Sequence, residues 1–199
     1  MPLQNRVQPT GDILAVPTRG RFMGNRGILH DANQTLGTAR WRHKAWVCCV
    51  LSFKNRHRTV MQPHNYTELF FLDEAVAFAA GHRPCAECRR ADYNRFRDAL
   101  GLTPPITAFD ATLHAARAVP RRHAQQRYSA DIAQMPEGAF ILDDAGVAHV
   151  VLADRLVRHT PAGYGKPQAR PESGAVTVLT PRPLITALQA GYKVDIAAV

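Results

Sequence analysis

Four cysteines, arranged as two close pairs, restrict the folds open to this chain more than any other sequence feature. Cys48 and Cys49 are adjacent, and Cys85 and Cys88 have the spacing C-x-x-C. At the start of a helix this spacing places two sulfurs on one face of the first turn, where the helix dipole favours thiolates. Zinc binds such sulfurs tetrahedrally, so Cys85 and Cys88 are predicted to be two of four zinc ligands. The alternative, a redox dithiol, lacks an evident βαβ context.

The remaining two ligands are predicted to come from the earlier part of the chain. Adjacent residues on a strand point to opposite faces, so only one of Cys48 and Cys49 is expected to bind. Cys49 shares its face with Val47, Leu51 and Phe53, the apolar set that should face the C-x-x-C helix. Cys49 is therefore preferred, with Cys48 as its substitute. The other candidate is His30, which ends a Gly-rich N-terminal stretch.

Residues 70–88, FFLDEAVAFAAGHRPCAEC, resemble the zinc-binding module of the Ada methyl-phosphotriester repair protein and its relatives. In that family a short strand and a helix lead into the motif A-G-[FY]-R-P-C-x-x-C. The residues that agree are Glu74, Ala75, Ala80, Gly81, Arg83, Pro84, Cys85 and Cys88. Some relatives begin with a Gly-Asn pair followed by a histidine ligand and then a cysteine ligand, an order matched by Gly24, Asn25 and His30. The resemblance covers about residues 22–92, and it implies zinc as the cofactor and His30 as a ligand.

Two departures from the family bear on methyl transfer. The Ada module has a C-x-x-x-C first pair whose zinc-activated thiolate accepts the methyl group, and this chain has no such spacing. The gap from His30 to Cys49 is also long for the relatives that use histidine. We therefore expect a closed structural zinc held by His30, Cys49, Cys85 and Cys88, with Cys49 facing the core and Cys48 more exposed. A zinc deaminase is disfavoured, because no H-x-E or C-x-E motif accompanies P-C-x-x-C.

The basic charge of the chain is confined to its first two thirds. Residues 1–130 hold 19 basic and 9 acidic side chains, whereas residues 131–199 hold 6 and 7. A segment this basic attracts polyanions by neutralising phosphates and releasing their counterions. Nucleic acid, DNA rather than RNA, is the predicted partner.

Basic and aromatic side chains alternate between residues 40 and 58, where there is no acidic residue. Such interleaving is typical of surfaces that contact phosphates and stack on bases. Trp46 has a second interpretation, as a core residue. The basic residues predicted to bind nucleic acid are Arg40, Arg42, Lys44, Lys54, Arg56 and Arg58, extended on the following helix by Arg89 and Arg90.

Local patterns predict an α+β fold, in which a small zinc-stapled unit of hairpin, strand and two helices precedes a β-rich C-terminal part. The expected boundaries are 1–105 for the zinc unit with its basic hairpin, 106–130 for a basic helical connector and 131–199 for the C-terminal part. The predicted elements are a hairpin of 44–53 with 58–61, a strand 67–72, helices 73–81 and 84–100, a hairpin of 139–142 with 147–152, a loop 159–174, a following strand and a helix 183–190.

These features together predict a zinc-containing nucleic-acid-binding protein in which the zinc is structural. Two alternatives stay open. One is an enzyme that acts on nucleic acid, through a methyl-accepting thiolate or a nuclease or base-modifying site, and the other is a protein–protein adaptor that uses the C-terminal part. The sequence has no apolar run of about 20 residues and no signal-peptide pattern, so no membrane partner and a cytoplasmic, reducing location are expected.

Overall fold

The computed structural model describes residues 1–56 and 59–198, and in this part of the chain it is a mixed α+β structure rich in strands. Two six-stranded sheets, one two-stranded sheet and four helices make up the fold. The predicted α+β class is therefore confirmed. The zinc-stapled unit remains a prediction.

The first half of the chain supplies one sheet and two helices. Its elements are β1 (Arg6–Val7), β2 (Ile13–Leu14), β3 (Phe22–Asn25), β4 (Val47–Cys49), β5 (Leu69–Phe71), α1 (Glu74–Ala79), β6 (Arg83–Pro84) and α2 (Arg90–Ala99). The strand order in this sheet is β2-β1-β5-β3-β4-β6. Strand β4 is thus held between β3, which runs antiparallel to it, and β6, which runs parallel.

The second half of the chain forms the other two sheets. Its elements are α3 (Thr107–Arg117), β7 (Ala118–Val119), β8 (Ala124–Gln125), β9 (Tyr128–Asp131), a 3-10 turn (Ile132–Gln134), β10 (Phe140–Leu142), β11 (Ala148–Val151), β12 (Arg155–Thr160), β13 (Gly163–Ala169), β14 (Ala175–Val178) and α4 (Arg182–Gln189). The large sheet has the order β13-β12-β11-β10-β14-β9, all antiparallel, and β7 pairs with β8 in a small hairpin.

Helix α1 begins and ends where its sequence predicts. Asp73 caps it by accepting a hydrogen bond from the backbone N–H of Val76 at 2.9 Å. The chain leaves the helix through Gly81, whose φ of +82° lies in the left-handed region. A side chain at Gly81 would also clash with Arg117 on α3, so this position requires glycine on two grounds. The turn directs the chain into β6 and then into the C-x-x-C segment.

One hydrophobic core joins the two halves of the chain. Leu69, Phe71 and Val76 from the first half lie in the same buried cluster as Phe140 and Val157 from the second. Burial of this apolar surface is the main source of stability for a fold built from such short strands. The boundaries predicted near 105 and 131 are therefore crossed by a continuous core.

The predicted hairpin between residues 44–53 and 58–61 is wrong. Strand β4 does form within it, but its partners are β3 and β6, and no strand follows in the described residues 59–61. The β-branched and aromatic pattern indicated a strand correctly, but it carried no information about which strand lies beside it. Pairing partners come from the whole sheet, not from the nearest turn.

Two further elements differ from their predictions. The helix expected from Pro84 begins at Arg90, because Pro84 belongs to β6 and residues 86–89 form turns. The expected loop 159–174 is largely the antiparallel pair β12 and β13, which contains a register shift between Val157 and His159. Pro and Gly are tolerated there because β13 is an edge strand of its sheet. The hairpin of β10 with β11, strand β14 and helix α4 are confirmed.

None of the helices in residues 1–56 and 59–198 has the length and apolar character needed to cross a bilayer. The longest, α3, has 11 residues.

A buried ion pair connects the C-x-x-C segment to α1. Arg89 donates to the Glu74 carboxylate at 2.7 Å, and both side chains are nearly inaccessible to solvent. Glu74 also accepts hydrogen bonds from the Tyr192 hydroxyl at 2.8 Å and from the backbone N–H of Asp195 at 3.1 Å. One carboxylate thus holds together α1, the segment before α2 and the C-terminal residues.

We expect Glu74→Ala to lower the free energy of unfolding by about 3–5 kcal/mol, because it leaves the Arg89 guanidinium buried without this carboxylate. Chemical denaturation measures the change. The matched control is Arg95→Ala, which removes an exposed ion pair with Asp92 and should cost less than about 1 kcal/mol. Equal losses in the two variants would show that the buried pair does not have the role assigned to it.

Candidate metal centre

Strand pairing brings the two cysteine pairs together across 36 residues of sequence. In the parallel pairing of β4 with β6, Val47 lies opposite Arg83 and Cys48 opposite Pro84. The register continues past β6, where the backbone N–H of Cys85 donates to the carbonyl of Cys48 at 3.0 Å. Cys49 and Cys85 are consequently neighbours in space.

Cys49, Cys85 and Cys88 form a compact cluster of sulfurs that could hold a metal ion. Their Sγ atoms all lie within 4.8 Å of one another, and all three are free thiols. Tetrahedral coordination with Zn–S bonds of about 2.3 Å requires sulfurs roughly 3.8 Å apart, a spacing that this cluster permits. The three side chains come from two segments of backbone fixed by strand pairing, so the arrangement is built into the sheet.

Backbone groups around Cys85 are oriented to support a thiolate. Cys85 directly precedes the turn that contains Cys88, and neither cysteine lies within a helix; the amide of Glu87 donates to Cys85 Sγ at 3.4 Å. The amide of Arg89 donates to the Cys85 carbonyl at 3.1 Å and closes the turn. N–H groups directed at sulfur favour the charged form of the thiol, which is the form that binds metal.

The three thiols perturb one another's acidity strongly. Contacts from the thiols of Cys49 and Cys88 lower the pKa of Cys85, because they donate hydrogen bonds to its sulfur. The contacts with Cys85 and Cys88 raise the pKa of Cys49 in return. The cluster therefore favours one negative charge shared among three sulfurs, and a cation bound between them would allow all three to ionise.

The cluster forms part of the wall of an open cavity of about 710 Å³, which we call the cysteine cleft. Apolar residues of β3 to β5 and the segment after β4 make up much of its surface, together with the polar side chains of Asn25, Glu68 and Glu87. Arg56 lies at the same cleft and forms an exposed ion pair with Glu87 at 2.9 Å. The sulfurs are thus placed where a ligand in the cleft can reach them.

The choice of Cys49 over Cys48 agrees with this cluster, but the reason given for it does not. We expected Cys49 to face the core and Cys48 to be the more exposed. The structure shows the reverse: Cys48 is 0% exposed and belongs to the core, whereas Cys49 lines the cysteine cleft. Burial raises the pKa of the Cys48 thiol, and its sulfur accepts a hydrogen bond from Arg89 at 3.4 Å. The prediction that the two cysteines point to opposite faces of the strand is correct. It assigned the core face to the wrong cysteine.

His30 is not part of the sulfur cluster. Its Nδ1 lies 2.6 Å from the hydroxyl of Thr67, and its Nε2 lies 3.3 Å from the carbonyl of Gln62. Both ring nitrogens are therefore occupied by protein groups, in a different cavity from the one lined by the cysteines. In this arrangement the imidazole ties the segment after β3 to the segment before β5, and the expectation that it is a fourth ligand is not met.

The basic residues predicted to bind nucleic acid occur in two separate places. Arg42 and Lys44 are exposed, and Arg40 is half-buried beside them, with hydrogen bonds to backbone carbonyls that begin with Gly37 at 2.6 Å. Lys54 and Arg56 are exposed on the segment after β4, near the cysteine cleft. Arg58 lies outside the described residues. The basic residues that the sequence predicted to share one hairpin therefore lie on two separate surfaces.

The two arginines predicted on the following helix also differ from each other. Arg90 is exposed on α2. Arg89 is buried, and its guanidinium contacts both Glu74 and Asp92. It acts as a structural cation, and a phosphate would have to displace these carboxylates to reach it.

Sequence reasoning missed a group of buried cationic and aromatic side chains on the other side of β4. Trp46, expected either on the surface or in the core, is buried and contacts the guanidinium groups of both Arg26 and Arg117. Arg117 could have been found from the helical period, since Asp110, Leu113 and Arg117 share the buried face of α3. Arg26 follows β3 directly, and no local pattern distinguishes it from a surface arginine.

Comparison with protein-family models, with curated proteins and with solved structures finds no match to this chain. The Ada-like resemblance therefore rests on the residues quoted above.

We expect Cys49→Ser and Cys85→Ser to reduce the metal bound per chain, because each removes one of three converging sulfurs. Elemental analysis of protein purified without chelator gives the stoichiometry. The matched control is Cys48→Ala, which changes the adjacent cysteine on the buried side of the strand and should leave the metal content unchanged. If the Cys48 variant loses metal and the Cys49 variant keeps it, the cluster described here is not the metal centre.

Proposed function

We propose that this chain is a zinc protein that binds nucleic acid, with Cys49, Cys85 and Cys88 as zinc ligands and DNA as the preferred partner. The observation that supports it most directly is the convergence of three free thiols from two separate segments in one cluster. Three thiolates are soft ligands in the spacing that tetrahedral zinc uses, and hard cations such as magnesium and calcium prefer oxygen.

Zinc at this position would fix the pairing of short strands. β4 has three residues and β6 has two, so few backbone hydrogen bonds hold them together. A metal that bridges Cys49 to Cys85 and Cys88 would join these strands to the start of α2. The free energy of metal binding would then add to the free energy of folding, as it does in small zinc-binding domains.

The nucleic-acid interface that we propose lies on the other side of β4. The ring of Trp41 lies 5.2 Å from that of His123, which places the segment 40–44 beside the hairpin of β7 and β8. Both pieces carry exposed cations. We define the basic face as the exposed side chains Arg42, Lys44, Arg121, Arg122 and Arg127, which together supply five positive charges to a phosphate backbone.

We expect Arg42→Ala combined with Lys44→Ala to weaken DNA binding and to reduce the slope of log K against log salt by about 0.7 to 0.9 for each lost phosphate contact. Fluorescence anisotropy with a labelled duplex at several salt concentrations measures the slope. The same measurement with RNA of matching sequence tests the preference for DNA.

The control for this experiment removes equal charge elsewhere. Arg155 and Arg158 are exposed on β12, in the part of the chain with no basic excess, and their double alanine variant should keep the slope of the unmodified protein. If the salt slope is unchanged in the Arg42→Ala and Lys44→Ala variant, or if the protein binds no DNA at low salt, the basic face is not the DNA-binding surface.

A second candidate function, methyl acceptance from a DNA phosphotriester, is favoured by one observation. Cys49 lines the open cysteine cleft, so its sulfur is accessible to a ligand there. In the proposed step a thiolate of the cluster attacks the methyl carbon, a C–S bond forms, the C–O bond to the phosphotriester breaks, and the phosphodiester leaves as an anion. The protein is consumed, and no oxidant or reductant is needed.

Intact-mass measurement after incubation with methylphosphotriester DNA separates the two candidates. A structural zinc predicts an unchanged mass. The gain of one methyl group, lost in Cys49→Ser, would instead assign the cluster to sacrificial methyl transfer. Unmethylated DNA of the same sequence is the control.

A further inference from the structure

A second cavity lies on the side of β4 opposite the cysteine cleft, and four arginines, two tryptophans and a histidine are among the residues that line it. Its volume is about 380 Å³, within the range of small-molecule sites. We call it the arginine pocket and define it by Arg26, Arg40, Arg117, Arg127, Trp41 and His123. Among the described residues that line it, Asp12 is the one acidic side chain, and that carboxylate is exposed and accepts a hydrogen bond from Thr10 at 2.7 Å.

Two of these arginines are buried deeply enough that their charge is costly. Arg26 is 2% exposed and Arg117 is 1% exposed. Their guanidinium carbons lie 4.2 Å and 3.7 Å from the ring centre of Trp46, so both cations contact the same indole. Stacking on an aromatic ring offsets part of the desolvation cost, but it does not neutralise either charge.

The hydrogen-bond partners of these two arginines are neutral. Arg26 donates to Nε2 of His82 at 3.2 Å and to the carbonyl of Ala80 at 3.4 Å. Arg117 donates to the carbonyls of Gly81 and Lys44. Burial, and then the charges of Arg26 and Arg117, lower the pKa of His82 well below its usual range, so the imidazole acts as a neutral acceptor.

The carboxylate that interacts electrostatically with Arg117 is already paired with another arginine. Asp110 on α3 binds Arg83 through both carboxylate oxygens, at 2.7 Å each. In the described part of the chain neither Arg26 nor Arg117 forms a salt bridge, and Nε of Arg117 and Nδ1 of His123 have no hydrogen-bond partner. Arg26 and Arg117 therefore have no carboxylate partner in the described part of the chain, and Asp12, the acidic side chain at the pocket, forms a salt bridge with neither of them.

We propose that the arginine pocket is a binding site for a phosphate monoester. A dianionic phosphate matches the uncompensated charge of Arg26 and Arg117, and its tetrahedral oxygens match the planar donor fork of guanidinium groups. Arg40 and Arg127 at the same cavity add two further cations. Trp41 is half-buried and provides an aromatic surface for the organic part of the ester. The site requires neither the zinc nor the duplex binding proposed above.

The two tryptophans of the chain both line this pocket, so intrinsic fluorescence reports on it directly. The probes are inorganic phosphate, adenosine 5′-monophosphate and adenosine, titrated into the full-length protein. We expect the two phosphate-bearing probes to change the fluorescence saturably and to raise the melting temperature, whereas adenosine should do neither. The shared phosphate, and not the base, should determine binding.

Substitutions at the rim test the cavity without disturbing the core. Arg40→Gln, the rim variant, should raise the dissociation constant for the nucleotide about tenfold through loss of charge-assisted contacts, and it leaves every residue of the basic face unchanged. Arg117→Gln, with folding checked by circular dichroism, should weaken binding further. The matched control is Arg95→Gln, an exposed arginine on α2, which should bind as the unmodified protein does.

A last comparison identifies the source of the phosphate. Tighter binding of a 5′-phosphorylated oligonucleotide than of its 5′-hydroxyl counterpart, lost in the rim variant, would indicate a strand end, and equal binding would indicate a free ester. No response to phosphate or nucleotide up to about 10 mM, or equal affinity in the rim variant and the control, would overturn the proposal. Duplex binding by the basic face, measured through its salt slope, can succeed or fail independently.

Discussion

The parallel pairing of β4 with β6 is the constraint on which both candidate sites depend. It places Cys85 beside Cys48 and Cys49 although 36 residues separate them. Strands β4 and β6 have three and two residues, and the Glu74–Arg89 ion pair adds a buried connection between α1 and the segment that follows β6. The sulfur cluster is thus a consequence of the register between β4 and β6, and the buried Glu74–Arg89 ion pair stabilises the same segment.

Alternation along β4 then separates two kinds of chemistry. Trp46, just before β4, and Cys48 share one face and are buried, and Trp46 contacts two guanidinium groups. On the other face Cys49 joins the thiol cluster in the cysteine cleft. The cysteine cleft and the arginine pocket therefore lie on opposite sides of β4. A change in the register of this strand would disturb both sites.

Elements with local signals could be predicted from the sequence, and those that depend on distant partners could not. Asp73 and Gly81 mark the ends of α1 because a cap and a left-handed glycine act within a few residues. The partner of β4 and the buried state of Cys48 depend on residues far away in sequence, so period-two alternation gave two faces without saying which was inside. Arg89 was assigned to a nucleic-acid surface for the same reason, since nothing near it in sequence indicates that Glu74 meets it in the core.

The central claim is that three cysteine sulfurs bind zinc, and an X-ray absorption spectrum at the zinc edge of the purified full-length protein tests it most directly. The spectrum reports the identity and distance of the atoms that surround the metal, independently of any variant. The account predicts at least three sulfur neighbours at about 2.3 Å. A shell made of nitrogen and oxygen alone, or protein that contains no zinc, would contradict it.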